Sequence, residues 1–238
     1  GRSRKLRDAG GGWDAGMIRE MAEAGIFGVT VPEENGGLGM GLAAGGVIAE
    51  EVGRVIAPEP VVVTVGLSLG LLRRLCPDHA MMEQLVEGAT VLAVAWQERG
   101  PNGGPAEPSC RYADGKLTGS KGWVAGAGGA DGLSVEERRQ ADGSAMGELS
   151  FSGTPAGELA SGGAVRAALA EAVNDATALA AAELVGLSER AFEITLDYIK
   201  TREQFDKPIG SFQVIQHRAV DLNVMCEVAQ SGVREALG

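Results

Sequence analysis

The sequence predicts an α+β protein that is mostly α. It divides into an N-terminal helical domain over 1–88, a small antiparallel β domain over 89–160 and a C-terminal helical bundle over 161–238. Three observations predict this. Apolar residues recur at steps of three and four in both flanking regions, the signature of helices with one buried face. The middle of the chain breaks into short apolar runs separated by Asp-Gly and Gly-Gly turn signals. No proline interrupts the stretch from Ala164 to Lys207.

Taken in order, Trp13–Ala24 reads as a helix, with Met17, Met21 and Ala24 in phase and Gly25 supplying the stop. Gly25–Gly41, GIFGVTVPEENGGLGMG, is a shaped loop, because its glycines permit positive φ and Pro32 forbids helix. No GK[ST] follows its glycine run, so it is not a phosphate loop. Leu42–Val55 returns to helix. Pro58 and Pro60 break the chain, and Thr64–Leu75 and Asp78–Val86 read as two further helices, with Asp78 as N-cap of the second.

The character changes at Gly88. Thr90–Trp96 is a β-type run, and the loop to Pro108 follows with three prolines and three glycines from Gly100 onward. Strand-like runs follow at Lys116–Thr118, Gly122–Ala125, Gly132–Val135 and Glu148–Phe151. That is slight for a closed barrel. From Ala164 the residues Leu169, Val173, Ala176, Ala180, Leu184, Leu187, Ala191, Ile194 and Tyr198 form one stripe along a helix of about nine turns. Ile215, Ala219, Leu222, Cys226, Ala229 and Val233 repeat the pattern on a second helix. Two long antiparallel helices joined at Asp206–Gly210 make half of a four-helix bundle. Another chain, or further residues, is expected to cover the stripes.

Composition narrows the function classes. Over 238 residues the chain is 45% apolar and 22% charged, ordinary for a globular protein. Aromatics are only 4% and glycines number 37, so packing must lean on Ala, Val and Leu. A formal net charge of −11 argues against a nucleic-acid surface, which needs clustered Lys and Arg. The basic Arg2–Lys5–Arg7 cluster reads as a solvated tail. Cys76, Cys110 and Cys226 have no CxxC spacing and only two histidines accompany them, which excludes a zinc site of the usual kind and fits a reducing compartment. No apolar run reaches about 18 residues, so no membrane span is expected. The start lacks a signal-peptide pattern, and the default location is cytoplasmic.

The stretch Tyr198–Ile215, YIKTREQFDKPIGSFQVI, joins the two long helices. Read from residues alone, Arg202 caps a helix C-terminus and Phe205 fills the bundle as readily as either holds a ligand. Three segments together sharpen the choice. Ala24–Gly39 is similar to "GxFGxxxPxxxGGxG", Gly119–Asp131 (GSKGWVAGAGGAD) to "G.K.WITxxxxAD", and Tyr198–Gln213 to "YxxxRxxFGxxIxxxQ". In this order and spacing they make the chain resemble the acyl-CoA dehydrogenases, flavoenzymes that desaturate acyl-CoA thioesters between Cα and Cβ.

The resemblance implies FAD as cofactor and an acyl-CoA as substrate. It assigns Arg202 to the FAD diphosphate of a neighbouring subunit, Phe205 to the adenosine end, and Gln213 to a further FAD contact. Gln204, Ile209, Phe212 and Ile215 fall at other lining positions, and Trp123 matches the aromatic that flanks the flavin ring. A guanidinium forking onto phosphate and a ring offering an apolar face suit those parts.

The departures are as informative. The family's "TExxxGSD" segment stands here as Gln97–Gly104, QERGPNGG, where only Glu98 survives. Ala125 replaces the Thr or Ser that meets flavin N5. Asn174 and Thr177 stand where an Asp and an Arg usually fix the substrate nucleotide. Dehydrogenation needs a carboxylate to remove the α-proton. The family places it either on later bundle helices or at the position of Ala176, and nearby Asp175 and Glu171 read as a solvated helical face. No catalytic residue is therefore assigned. The resemblance implies a subunit that lends Arg202, Phe205 and Gln213 to a competent homologous subunit, in a hetero- or homo-oligomer, dimer or tetramer. The alternatives are a self-sufficient dehydrogenase with sequence missing here and a non-catalytic structural interaction subunit.

Overall fold

The computed structural model describes residues 2–8, 12–100, 108–127, 134–140 and 144–238. The N-terminal helices are α1 (Arg2–Asp8), α2 (Ala15–Glu23), α3 (Gly41–Val55), α4 (Leu69–Leu75) and α5 (Met81–Val86). Asp14 caps α2, accepting from the Gly16 amide at 2.7 Å and the Met17 amide at 3.4 Å. The Gly25–Gly41 loop folds back on itself: Leu38, Gly39 and Met40 donate to the carbonyls of Gly28, Val31 and Val29. This buries Phe27, Val29 and Val31 in the main core. Gly37 is required there, since a Cβ would come 2.1 Å from the Val31 carbonyl oxygen.

Two expectations in this region change. The helix predicted from Thr64 begins as a π-helical stretch, Val63–Ser68, and continues as α4. The helix predicted from Asp78 begins at Met81, and no side-chain oxygen caps it. The turn after Pro77 delays it, with the His79 amide donating to the Cys76 carbonyl. The His79 ring, not Asp78, takes the first helical amide, at 3.2 Å to Met81 N.

The β part is one antiparallel sheet of β1 (Arg111–Ala113), β2 (Lys116–Ala125), β3 (Ser134–Arg139) and β4 (Ala145–Pro155), in the order β1-β2-β4-β3. The runs at Lys116–Thr118 and Gly122–Ala125 are one bulged strand, β2, and the run at Glu148–Phe151 lies inside β4. Gly132 and Leu133 of the remaining run lie outside the described residues. β1 carries no apolar alternation in the sequence because all three of its residues are exposed.

Thr90–Trp96 is not a strand: it pairs with no described strand. Its chain instead bridges two cores, with Leu92 packed on the helices and Ala93 and Ala95 against Val124 and Leu149 of the sheet. The Leu92 carbonyl, free of any ladder, accepts from the Ser68 hydroxyl at 2.6 Å.

The C-terminal part is α6 (Gly163–Thr201, 39 residues) and α7 (Gln213–Ala236), antiparallel and joined through a small hairpin. The predicted face of α6 is corrected. Its buried residues are Ala168, Ala172, Leu179, Ala182, Val185 and Gly186, one step round from the predicted stripe. Leu184 is 62% and Tyr198 57% exposed. The physical reason is close backbone approach. α3 crosses α6 where Gly53 and Gly186 meet, and a Cβ on either would come 1.9 Å from a carbonyl oxygen of the other helix. Small residues therefore make that crossing, with Leu179 and Val185 buried beside it, and the C-terminal half of the predicted stripe, from Leu184 to Tyr198, faces outward. On α7 the predicted face holds better, with Val233 buried in the core and Ile215, Ala219 and Cys226 half-buried.

Candidate functional site

At Arg202 the chain leaves α6 for extended backbone (φ −75°, ψ 120°), and its amide still donates to the Tyr198 carbonyl at 2.8 Å. Strand β5 (Glu203–Gln204) then pairs with β6 (Lys207–Pro208). Phe205 and Asp206 form the two-residue turn between them, with φ of 57° and 62°. Both residues are left-handed, the geometry of a type I′ turn, which normally favours Asn and Gly. Holding a Phe there costs of order 1–2 kcal/mol.

That cost sustains an outward anchor. Phe205 is 86% exposed, so it does not fill the bundle. Its ring meets Phe212 edge-on, with centroids 6.1 Å apart and planes at 88°. Lys207 Nζ lies 4.4 Å from the Phe212 ring centroid on the same hairpin. Arg202 is exposed, and its guanidinium forms no ion pair or helix-capping bond among the described residues. Gln204 is exposed and donates to its neighbour's carbonyl at 2.8 Å. Ile209 and Ile215 are half-buried beneath the hairpin, and exposed Gln213 opens α7. Seven of the eight predicted site residues thus occupy one hairpin and the first turn of α7. Trp123 stands apart on the sheet, at φ 52° on the bulge between Lys121 and Val124.

Two residues on from Trp123, at Ala125, the sheet and helices line a cleft of about 230 Å³. Ala125, Gly126, Met146 and Val61–Val63 make its walls apolar, and its acidic side chains are Glu59 and Glu183. Glu59 is buried and held by Arg2 of α1, one arm of the pair at 3.1 Å. At Ala125 the wall offers a methyl group in place of a hydroxyl, while the Trp13 indole and the Ser144 side chain add polar atoms elsewhere in the lining. The hairpin, with the exposed Arg202 guanidinium and the Lys207 ammonium in no ion pair among the described residues, fits a dinucleotide's diphosphate.

Glu98 is structural. Its carboxylate accepts from the Cys110 amide at 2.8 Å, the Ser109 hydroxyl at 2.7 Å, Lys121 Nζ at 2.9 Å and the Ser109 amide at 2.5 Å. The Cys110 amide bond first, then the Ser109 and Lys121 bonds, lower its pKa from 4.5 to about 2. Residues 101–104 of its motif, and 128–131 of the Trp123 motif, lie outside the described residues.

The positions that bear on a catalytic base are occupied otherwise. Ala176 packs against Gly66 of the π-helical stretch. Asp175, expected on a solvated face, is mostly buried and accepts from Arg73 at 2.7 Å and Arg74 at 2.9 Å. Glu171 pairs with Arg74 Nε at 2.8 Å and keeps its exposure. Thr177 spends its hydroxyl on the Val173 carbonyl at 2.7 Å. The pairing of Asp175 with two arginines 102 and 101 residues earlier had no local signal in the sequence. Lys207 was also missed, although the alternation Arg202, Gln204, Lys207, Ile209 across a two-residue turn could have singled it out.

Comparison with known proteins agrees with this architecture. The family description "Acyl-CoA dehydrogenase, N-terminal domain" matches residues 2–84, and "Acyl-CoA dehydrogenase, C-terminal domain" matches residues 163–238. The chain belongs to the acyl-CoA dehydrogenase family. It is 30% identical over 227 residues to the acyl-CoA dehydrogenase IpdE2 of Mycobacterium tuberculosis, covering 94% of this chain and 66% of that protein. Among solved structures it is similar to a variant of the Tcur3481-Tcur3483 steroid ACAD, at 31% identity and TM-score 0.77, covering 94% of this chain and 68% of the other. The ChsE4-ChsE5 complex from M. tuberculosis follows at 26% identity and TM-score 0.79, covering 94% and 67%. The chain thus spans about two thirds of the length of these relatives. Among the described residues no helix is long and apolar enough to cross a membrane, and no group of three or more His, Cys, Asp or Glu side chains is placed to hold a metal ion.

Proposed function

We propose that this chain is a subunit of an FAD-dependent, cytoplasmic acyl-CoA dehydrogenase that desaturates an acyl-CoA thioester between Cα and Cβ. In this reading it acts with a homologous, competent subunit and contributes FAD contacts across their interface. Its three parts, 1–88, 89–160 and 161–238, serve that arrangement, the last presenting the hairpin. Arg202 forks onto the diphosphate of a flavin held by the partner, Phe205 covers the adenosine end, and Gln213, Gln204, Ile209, Phe212 and Ile215 line the contact. Trp123 is proposed as an aromatic wall on this chain's own sheet. FAD, when bound, accepts the hydride from the substrate's Cβ.

One observation carries the reading: Phe205 is held in a left-handed conformation yet 86% exposed, so the chain spends backbone strain on an anchor whose ring meets Phe212 and otherwise faces outward. The Ala176–Gly66 packing, the methyl of Ala125 in place of a hydroxyl and the exposed C-terminal half of the α6 stripe support the same division of labour. The substrate class that fits is a steroid-derived acyl-CoA, because the Tcur3481-Tcur3483 relative is a steroid ACAD. The test is to assemble the chain with its homologous subunit and measure bound FAD for wild type and Arg202→Ala. The reading expects most of the flavin to be lost in the variant with assembly unchanged. Full retention of flavin contradicts it.

A further inference from the structure

Arg202, Gln204 and Ile209 share one face of the hairpin, and the register shows why. Gln204 pairs with Lys207, Glu203 with Pro208, and the Ile209 amide donates to the Arg202 carbonyl at 2.8 Å. Side chains two apart along a strand stand on the same side, and directly opposed residues stand together. Arg202, Gln204, Lys207 and Ile209 therefore form one face, with Glu203 and Pro208 on the other. Lys207 is the member of that face without a role so far.

Its surroundings hold the ammonium without neutralising it. Nζ sits 4.4 Å from the Phe212 ring centroid, within cation–π range, and Phe212 in turn braces Phe205. Lys207 forms no ion pair with a described carboxylate, although Glu203 and Asp206 are close in sequence. In a chain of net charge −11, one hairpin face carries two cations and no acid. Arg202 and Lys207 occupy diagonal positions across the two strands, whose separation is roughly 7–8 Å. A diphosphate spans such a pair, with the guanidinium fork on one phosphoryl group and the ammonium as a point charge on the other.

We infer that Lys207 is a second cationic contact for the diphosphate of FAD held by the neighbouring subunit, set in place by its contact with the Phe212 ring. This rests on the proposed flavin-contacting role of the hairpin. The adenosine diphosphate unit also occurs in coenzyme A, so the test measures both ligands.

The experiment uses the assembled complex carrying Lys207→Met, Lys207→Arg or Arg202→Ala, with FAD affinity read by flavin fluorescence at low and physiological ionic strength and coenzyme A affinity read by calorimetry. Lys207→Met is expected to weaken FAD binding about five- to tenfold at low salt, the scale of one charge-assisted contact. It should also reduce the salt dependence, while coenzyme A affinity stays unchanged. Lys207→Arg, which keeps the charge, is expected to restore most of the affinity. Unchanged FAD affinity in Lys207→Met while Arg202→Ala loses flavin overturns the role of Lys207 alone. A loss confined to coenzyme A also overturns the FAD assignment. No effect in either Lys207→Met or Arg202→Ala overturns the underlying reading of the hairpin.

Discussion

Gly66 and Ala176 lie in direct contact: a Cβ added to Gly66 would sit 2.6 Å from the Ala176 Cα and 3.0 Å from its Cβ. Gly70 repeats the approach one turn on, where a Cβ would be 3.5 Å from the Ala172 Cβ. The small-residue side of α6 and the helix running from Val63 to Leu75 are thus zipped together at Ala176, one of the positions the family resemblance offers for a catalytic base.

Gly66→Ala is therefore predicted to destabilise the chain by about 1–3 kcal/mol, the usual cost of overpacking a close-packed seam. Ala176→Glu is predicted to lower the melting temperature as well, because its carboxylate starts from the same contact. It creates no desaturation activity in the isolated chain. Thermal unfolding and a flavin-linked dye-reduction assay check the two halves.

Phe205→Gly is predicted to separate stability from function. Glycine takes the left-handed turn without the Cβ penalty, and the lost side chain is exposed, so the chain gains up to about 1 kcal/mol. The assembled complex nevertheless loses affinity for FAD. Calorimetric unfolding and flavin content, measured on the same preparation, read both effects.

Glu98 gives a pH signature. Its pKa is lowered on folding, so its contribution is complete above its ordinary 4.5 and disappears as the pH falls toward about 2. Glu98→Gln is expected to be less stable than wild type at neutral pH, with the difference shrinking between those two values. Denaturant unfolding across this range checks the sign: a stability gap that widens on acidification contradicts it.

The Gly53–Gly186 crossing predicts a severe effect from a single methyl. Gly186→Ala places a Cβ 1.9 Å from the Glu50 carbonyl oxygen, which forces α3 away from α6. The expected loss is at least about 3 kcal/mol, at the upper end for overpacking. Gly232→Ala on α7, where nothing lies within 4 Å, is the matched control and should be neutral or slightly stabilising.

How much of this was legible depended on where the physics was local. The helices, the Asp-Gly turn before β2 and the hairpin motif were readable because capping, turn chemistry and side-chain spacing act within a few residues. The face of α6 was misjudged in its C-terminal half because Leu, Ile and Tyr there suggest a core, whereas the crossing with α3 needs Gly186 and Ala182, with Leu179 and Val185 beside them. Thr90–Trp96 looked like a strand because β-branched and apolar residues suit one, but the chain uses them to bridge two cores. Asp175 looked solvated because its partners, Arg73 and Arg74, lie on another helix. Seven of the proposed site residues lie together because they belong to one continuous segment. Trp123 belongs to a different element, β2, and was assigned a different part of the flavin.

The most direct test of the central claim is the flavin-to-protein ratio of the chain purified alone and purified with its homologous subunit. The account predicts a colourless preparation alone and one bound FAD per pair of subunits in the assembly, dependent on Arg202. A yellow, FAD-saturated preparation of this chain by itself that desaturates acyl-CoA would contradict it.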